Sequence, residues 1–217
     1  MPTTKRARSP EAKGRRRVAI LDVALAKFER SDLSGITMTE IAASVGVAKG
    51  TLYLYFRTKE EVFLAALERL LDEWFDEVDA ALDASTGRLP AAGLADLFST
   101  SLAGRPTLCR LLGLLGNVLE PKVEHDSALR FKWRVAGRLT ATGSQLERRT
   151  VFLRRGDGAR VVRQLHALVI GLQQQAEPAP VVRRILEAPG LEALRVDFDR
   201  EFRSAARALL IGLERTN

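Results

Sequence analysis

One short segment of this chain, residues 37–59, contains closely spaced side chains that can donate hydrogen bonds, and it reads TMTEIAASVGVAKGTLYLYFRTK. Lys49, Thr51, Tyr53 and Tyr55 lie there, and the chain has no other tyrosine. An apolar core would accept Phe or Leu at such positions, so the phenols indicate a use for their hydroxyl groups. Hydroxyl groups donate to phosphates, and lysine donates to phosphate or guanine. The segment therefore predicts a nucleic-acid contact.

Three neighbouring residues fit the same surface. Gly50 costs a helix up to about 1 kcal/mol relative to Ala, so a missing side chain close to a base edge or phosphate would explain it. Leu54 can touch a thymine methyl group. Lys59 adds a positive charge beside the N-terminus of the next helix, where anions are already favoured.

The elements that must position these side chains are short helices. Thr37 and Glu40 have the spacing of a capping box, which opens one helix, and Gly46 ends it by adopting positive φ. A second helix is predicted from about Ala48 to Phe56, with Ala48, Leu52 and Phe56 facing inward. An amphipathic helix over about residues 15–30 precedes the pair, and a second capping box at residues 58–61 opens the helix that follows. Helix, glycine turn and helix form the arrangement in which the second helix enters the major groove of DNA.

The segment resembles the TetR family of transcriptional regulators over roughly residues 15–65. The family often has Ser at the position of Ala48 and His at the position of Tyr55, and Tyr55 keeps a phosphate donor there. In the family, residues at positions similar to that of Thr39 touch phosphate. We therefore include Thr39, together with Thr37, among the residues predicted to bind DNA. The residues that carry the resemblance are Ile20, Leu21, Asp22, Ala24, Leu25, Phe28, Thr37, Ile41, Ala42, Val45, Gly46, Val47, residues 50–56 and residues 59–61.

The positive charge of the chain lies mainly at its beginning. The formal net charge is +7, and residues 1–17 contain seven Lys or Arg residues against Glu11 alone. A basic arm on a nearly neutral body favours a polyanionic partner, although a solvated tail would have the same composition. We therefore expect a flexible basic arm over residues 1–14 and a double-stranded DNA operator as partner.

Several other classes of protein find no support in the sequence. No apolar run approaches the ~18 residues that span a bilayer, and no apolar stretch like that of a signal peptide follows the basic start. Cys109 is the only cysteine, so no internal disulfide can form, which fits a cytoplasmic protein. One Cys and two His residues give no metal-ligand spacing, and no nucleophile-elbow or phosphate-loop motif occurs. We expect no enzyme activity, cofactor, metal or membrane partner.

The remaining chain predicts an all-α fold without strands. A helix-turn-helix domain is expected over residues 15–60, and a helical regulatory and dimerisation domain over residues 61–217. Two apolar stripes at helical spacing could pair two copies of the chain, or they could face the core of their own subunit. Their residues are Leu165, Leu168, Val169 and Leu172, followed by Phe202, Ala206, Leu209 and Leu210.

The resemblance implies that this second domain dimerises and holds a small inducer, which we expect to be largely apolar. An apolar cavity with a few polar anchors is the usual ligand site, although a lone His or Cys on an apolar helix is more often a core residue. The predicted lining residues are Phe98, Leu102, Cys109, Leu112, Asn117, Trp133, His166 and Gln173. The sequence thus predicts a homodimeric repressor that is released by a ligand. The alternative is a helical interaction module that has lost DNA binding.

Overall fold

The computed structural model describes residues 9–216, and within them the predicted all-α fold is confirmed. The part of the chain described contains no β-sheet, only an isolated bridge between Leu89 and Thr150. None of its helices is both long and apolar enough to cross a membrane. The α-helices are α1 (Pro10–Phe28), α2 (Met38–Val45), α3 (Lys49–Tyr53), α4 (Lys59–Ala84), α5 (Ala91–Ala103), α6 (Pro106–Leu114), α7 (His125–Arg149), α8 (Asp157–Ala176), α9 (Pro180–Ile185) and α10 (Phe198–Thr216).

The helices form two compact units. The first contains the described residues up to Leu70 together with residues 114–132, and the second contains residues 71–113 and 133–216. The division falls inside α4 and α7 and before the last residue of α6, whereas the domain boundary predicted from the sequence follows residue 60. Residues 114–132, expected in the regulatory domain, group with the helix-turn-helix instead.

The first unit is built around a core shared by α1, α2, α3 and the start of α4. The rings of Phe28 and Phe63 lie 5.5 Å apart at its centre. The predicted capping box is confirmed, because Thr37 caps the N–H of Glu40 while the Glu40 carboxylate accepts the N–H of Thr37. Gly46 ends α2 at φ 74°, as predicted. These local signals fix the angle between the two short helices.

Helix α1 begins five residues earlier than its apolar pattern indicated. Its first residue is Pro10, and the Ser9 hydroxyl accepts a hydrogen bond from the N–H of Ala12. A capping serine followed by proline is a strong start signal that the basic composition obscured. Residues 10–14 of the predicted arm are therefore helical, and residues 1–8 lie outside the described residues.

Helix α3 is shorter than predicted. It spans Lys49–Tyr53, and the chain continues to Phe56 through turns in which the N–H groups of Tyr55 and Phe56 donate to the Leu52 carbonyl. Leu52 and Phe56 are buried as expected, whereas Ala48 is exposed. Contrary to the prediction from the sequence, Ala48 therefore does not belong to the inward-facing stripe.

The second unit packs α10 against α5 and α8. The buried indole of Trp74 donates to the Ser101 hydroxyl at 3.0 Å, which satisfies both polar groups inside the core. On the other side of α4, four aspartates pair with arginines of α7, at distances between 2.6 and 3.2 Å, and these are Asp72, Asp76, Asp79 and Asp83.

The two stripes predicted for dimerisation are mostly used inside the subunit. Five of the eight predicted interface residues are buried within the single chain, because α8 and α10 pack on each other and α10 packs on α5. The prediction is wrong for these five, which are Leu165, Val169, Phe202, Ala206 and Leu210. Leu168, Leu172 and Leu209 keep part of their surface accessible.

Candidate nucleic-acid interface

Helix α3 presents the predicted polar residues at the surface of the first unit. Lys49 and Gly50 are exposed, and Tyr53 and Leu54 expose 44% and 70% of their surface. Thr51 and Tyr55 are half-buried. Leu54 lies between the two tyrosines with most of its surface accessible, so it is available for contact with an outside molecule.

Lys49 and Tyr53 lie on the same face of α3. The Lys49 ammonium lies 5.9 Å from the centre of the Tyr53 ring, at the outer limit of a cation–π contact. This spacing follows from their separation by four residues, which is about one helical turn. The pair therefore presents one ammonium and one phenol side by side.

Arg17 of α1 joins this surface, although the sequence indicated it only as part of the basic run. Its guanidinium carbon lies 5.1 Å from the centre of the Phe56 ring. Because Phe56 follows Tyr55 directly, this packing places a further cation beside the chain that leaves α3. Its signal in the sequence is weak, since the packing joins residues 39 positions apart.

The two predicted threonines of α2 differ in their surroundings. Thr39 is exposed on the first turn of α2. The Thr37 hydroxyl donates to the Glu40 carboxylate at 2.9 Å and accepts the Glu40 N–H at 3.2 Å. Its donor is therefore engaged inside the protein, and the structure gives Thr37 a capping role.

Lys59 does not extend towards a phosphate position as predicted. Its ammonium donates to the carbonyl oxygens of Leu33 at 2.8 Å and Ile36 at 2.9 Å, with a third contact to Ser34 at 3.4 Å. The carbonyl groups at the end of a short helical turn are strong acceptors, and they outcompete solvent for this cation. The prediction of a DNA contact for Lys59 is therefore replaced by a role inside the unit.

The second capping box is closed differently from the prediction. The Thr58 hydroxyl accepts the N–H of Glu61 at 3.1 Å, as expected. The Glu61 carboxylate accepts the N–H of Arg57 at 2.7 Å, one residue before the position that a reciprocal box would use. This bond orients Arg57 at the entrance to α4.

A concavity of about 310 Å³ lies beside the end of α3. Tyr53, Leu54 and Tyr55 line it together with Arg57, whose side chain is 71% exposed. Arg57 was not among the residues predicted to bind DNA, although it follows the two tyrosines within the segment 37–59. The site thus combines two phenols and an arginine in one depression at the protein surface.

The residues predicted to line a ligand pocket do not all share one environment. Within the second unit, Phe98, Leu102, Cys109, Leu112 and Gln173 are buried and His166 is half-buried. Trp133 is 71% exposed, and Asn117 is exposed within the first unit, so these two predictions are wrong. The apolar spacing on α7 marked Trp133 as a core residue, but its face of the helix points to solvent. Residues 9–216 contain no cluster of three or more His, Cys, Asp or Glu that could hold a metal ion.

Two family models match adjoining parts of the chain. The model described as "Bacterial regulatory proteins, tetR family" matches residues 20–66. The model described as "Tetracyclin repressor-like, C-terminal domain" matches residues 68–217. The first match contains the helix-turn-helix, and the second contains the helices of the regulatory part.

The first part of the chain is similar to curated regulators. It is 37% identical over 78 residues to the HTH-type transcriptional regulator RutR of Escherichia coli (strain K12), covering 36% of this chain and 35% of RutR. It is 32% identical over 93 residues to the HTH-type transcriptional repressor KstR2 of Mycolicibacterium smegmatis, covering 43% of this chain and 44% of KstR2. The chain thus spans less than half the length of these two relatives.

The whole fold is similar to a solved structure. The multidrug binding protein EbrR, crystallised with imidazole, superposes with a TM-score of 0.56 at 22% identity. The superposition covers 92% of this chain and 94% of EbrR, so the likeness extends over both units. At this identity it concerns the fold alone.

Proposed function

Because the chain belongs to the TetR family of DNA-binding transcriptional regulators, we propose that it is a homodimeric repressor that a small ligand releases from a palindromic operator. The observation that carries the proposal is the exposed surface formed by Lys49 and Tyr53 of α3 and by Leu54, which directly follows the helix. The assigned roles are phosphate or guanine binding for Lys49, phosphate binding for Tyr53 and thymine-methyl contact for Leu54.

A two-fold dimer would place two copies of α3 in successive major grooves, ~34 Å apart along the DNA. The operator would then contain two inverted half-sites, because a symmetric protein reads the same bases twice. Arg17 and the other basic residues of α1 would add phosphate contacts that do not depend on sequence.

The dimer surface that we propose uses the parts of α8 and α10 left accessible in the single chain. Leu168, Leu172, Leu209 and Leu213 are half-buried and recur at intervals of four residues on the two helices. Gly171 and Gly212 have no neighbouring atom within 4 Å of an added Cβ, so another helix can approach there. Leu209→Glu should convert the dimer to monomer in sedimentation experiments, whereas an exposed control, Arg163→Gln, should leave it dimeric.

For the ligand site we propose the apolar core around Phe98, Leu102, Cys109 and Leu112, with Gln173 as a polar anchor. Gln173 is buried, and its side chain lies 3.6 Å from the position of a Cβ added to Gly113. A buried primary amide among apolar side chains can orient one polar group of a ligand by hydrogen bonding. The names of KstR2, a repressor, and EbrR, a multidrug binding protein, support both parts of the proposal by analogy.

Release from DNA requires a ligand that binds one arrangement of the dimer better than the other. A thermal-shift screen would identify ligands, and each hit would then be tested for release of the operator. Gln173→Leu should reduce the response to such a hit and leave DNA binding in its absence unchanged. A hit that stabilises the protein without affecting DNA binding would contradict ligand release.

The DNA-binding part of the proposal is tested with the DNA upstream of the coding sequence in a mobility-shift or anisotropy assay. Lys49→Gln should weaken binding and flatten the plot of log affinity against log salt by about 0.9 for each phosphate that is no longer neutralised. Tyr53→Phe should weaken binding without lowering the melting temperature, because the hydroxyl lies at an exposed position. Arg163→Gln, which removes one charge from α8, is the control. An absence of any specific complex for the wild type would favour a helical interaction module.

A further inference from the structure

Arg57 is held by an acidic segment that belongs to the same compact unit. Its guanidinium Nη1 lies 2.7 Å from the Glu124 carboxylate, just before the start of α7. Both side chains are more than half exposed, so the pair lies in water rather than in the core. The hydrogen bond to Glu124 and its negative charge raise the pKa of Arg57 above its usual value.

The surroundings of this ion pair contain further carboxylates. Glu61, Glu124 and Asp126 line the same concavity as Tyr53 and Tyr55. Arg130 is the second cation of its lining, and it donates to the Ser127 hydroxyl at 3.1 Å. The depression beside the predicted phosphate donors therefore contains more acidic than basic groups, which opposes the approach of DNA.

The ion pair is the shortest of the described polar contacts between residues 57–61 and 122–127. The Thr58 hydroxyl reaches the Lys122 carbonyl at 3.4 Å, and the Ser127 hydroxyl reaches Glu61 at 3.4 Å. Lys122 and Glu60 are separated by 3.6 Å. These longer contacts are weak, so the position of Arg57 depends mainly on Glu124 and on its own backbone.

An exposed carboxylate holds an arginine only weakly, because water and salt screen the pair. A DNA phosphate can accept two parallel hydrogen bonds from a guanidinium group, and it lies in the field of many neighbouring phosphates. The backbone of Arg57 is fixed by its hydrogen bond to Glu61, so its side chain can exchange partners without moving α3. Arg57 can therefore leave Glu124 for a phosphate beside Tyr53 and Tyr55.

We propose that Arg57 is a further phosphate-binding residue of the DNA interface and that Glu124 competes with DNA for it. The proposal rests on the DNA binding proposed above and adds a specific source of negative control. While the Glu124 carboxylate pairs with Arg57, it lowers the affinity of the protein for DNA. When Glu124 moves away from Arg57, that affinity rises.

The test measures DNA affinity by fluorescence anisotropy over a range of salt concentrations for Glu124→Gln, Arg57→Gln and the double variant. Glu29→Gln is the matched control, because it removes one exposed negative charge of the same unit at the end of α1. Glu124→Gln should tighten binding about 1.5-fold to 5-fold for each subunit, the range expected for an exposed ion pair. Glu29→Gln should show a smaller gain.

The contribution of Arg57 is measured in both backgrounds. Arg57→Gln should cost more affinity when residue 124 is Gln than when it is Glu, and it should flatten the salt dependence by about 0.9 for each subunit in the Gln background. Melting curves establish that each variant is folded.

Three results would overturn the proposal. Weaker DNA binding by Glu124→Gln would mean that the ion pair of Arg57 and Glu124 stabilises the DNA-binding position of α3. An equal loss from Arg57→Gln in both backgrounds would remove the competition, and no loss in either would remove Arg57 from the interface. Failure of the wild type to bind any DNA would instead contradict the proposed function.

Discussion

The ammonium group of Lys59 donates to the carbonyl oxygen of Leu33 at 2.8 Å, which ties the first turn of α4 to the turn between α1 and α2. A second bond reaches Ile36, directly before the cap of α2. The cation that was predicted to bind DNA thus stabilises the loop that positions the helix-turn-helix. Its effect on DNA binding would be exerted through the fold.

Lys59→Met should lower the free energy of unfolding by roughly 1–3 kcal/mol, because several carbonyl groups lose a charged donor. The slope of log DNA affinity against log salt should stay that of the wild type, since Lys59 neutralises no phosphate. Urea unfolding and anisotropy titrations measure the two quantities. Lys49→Met is the matched control. It should leave the free energy of unfolding unchanged and flatten the salt dependence of DNA binding. A flatter salt dependence for Lys59→Met would return this residue to the DNA surface.

Gly50→Ala should separate stability from function in one substitution. An added Cβ at Gly50 meets no atom of the protein within 4 Å, so alanine can gain up to about 1 kcal/mol of helix stability. If Gly50 allows DNA to approach closely, the same methyl group should weaken operator binding. Thermal melting and a mobility shift on one preparation test both effects. Equal or tighter DNA binding by a stabilised variant would contradict the close approach.

Gly143 and Gly158 mark the closest approach of α7 and α8. A Cβ on Gly143 would lie 2.5 Å from the backbone nitrogen of Ala159, and one on Gly158 would overlap the backbone of Gly143. Glu147 reinforces the crossing by accepting the N–H groups of Gly156 at 2.8 Å and Gly158 at 3.0 Å. The two helices therefore touch through their backbones.

Gly143→Ala should lower the free energy of unfolding by about 1–3 kcal/mol or more, because backbone atoms have to move apart. Gly137→Ala on the same helix is the control, since its Cβ would meet nothing within 4 Å. Urea unfolding at one protein concentration keeps the mass-action contribution of dimerisation the same for the two variants. A neutral Gly143→Ala would show that the crossing relaxes easily.

Cys109 should be unreactive in the folded protein. Burial, and to a smaller extent the charge of Asp199, raise the pKa of its thiol to about 12. At pH 8 roughly one thiol in ten thousand is then ionised, and the thiolate is the reactive form. Ellman's reagent should label the native chain slowly and label one thiol per chain after unfolding in guanidinium chloride. Rapid labelling of the native protein would mean that the core around Cys109 opens readily.

The capping box of α2 should contribute to the acid sensitivity of the protein. Hydrogen bonds from the Thr37 hydroxyl and then its N–H lower the pKa of Glu40 below 4.5. A carboxylate with a lowered pKa stabilises the fold above its unfolded pKa, and this stabilisation is lost as the pH falls below 4.5. Glu40→Gln should therefore flatten the fall of the melting temperature in acid. Thr37→Val should flatten it as well, and combining the two should add little.

The helices, the capping box of α2 and the glycine that ends it could be predicted because their signals are local. Thr37 and Glu40 recognise each other across three residues, and Gly46 needs only its own freedom at positive φ. The exposed face of α3 is predictable for the same reason, because the helix consists of five consecutive residues, Lys49–Tyr53. Five residues of the stripes on α8 and α10 were misassigned because an apolar stripe has the same spacing whether it faces its own core or a second chain.

The sequence by itself therefore determined the family, the helical fold and the residue types on the exposed side of α3. The tertiary structure decided which partner each long side chain takes. Lys59 and Arg57 are cations near the end of the same segment, yet one binds carbonyl groups 23 to 26 residues away and the other a carboxylate beyond α6. Such partners are set by packing between distant parts of the chain, and no periodicity of neighbouring residues encodes them.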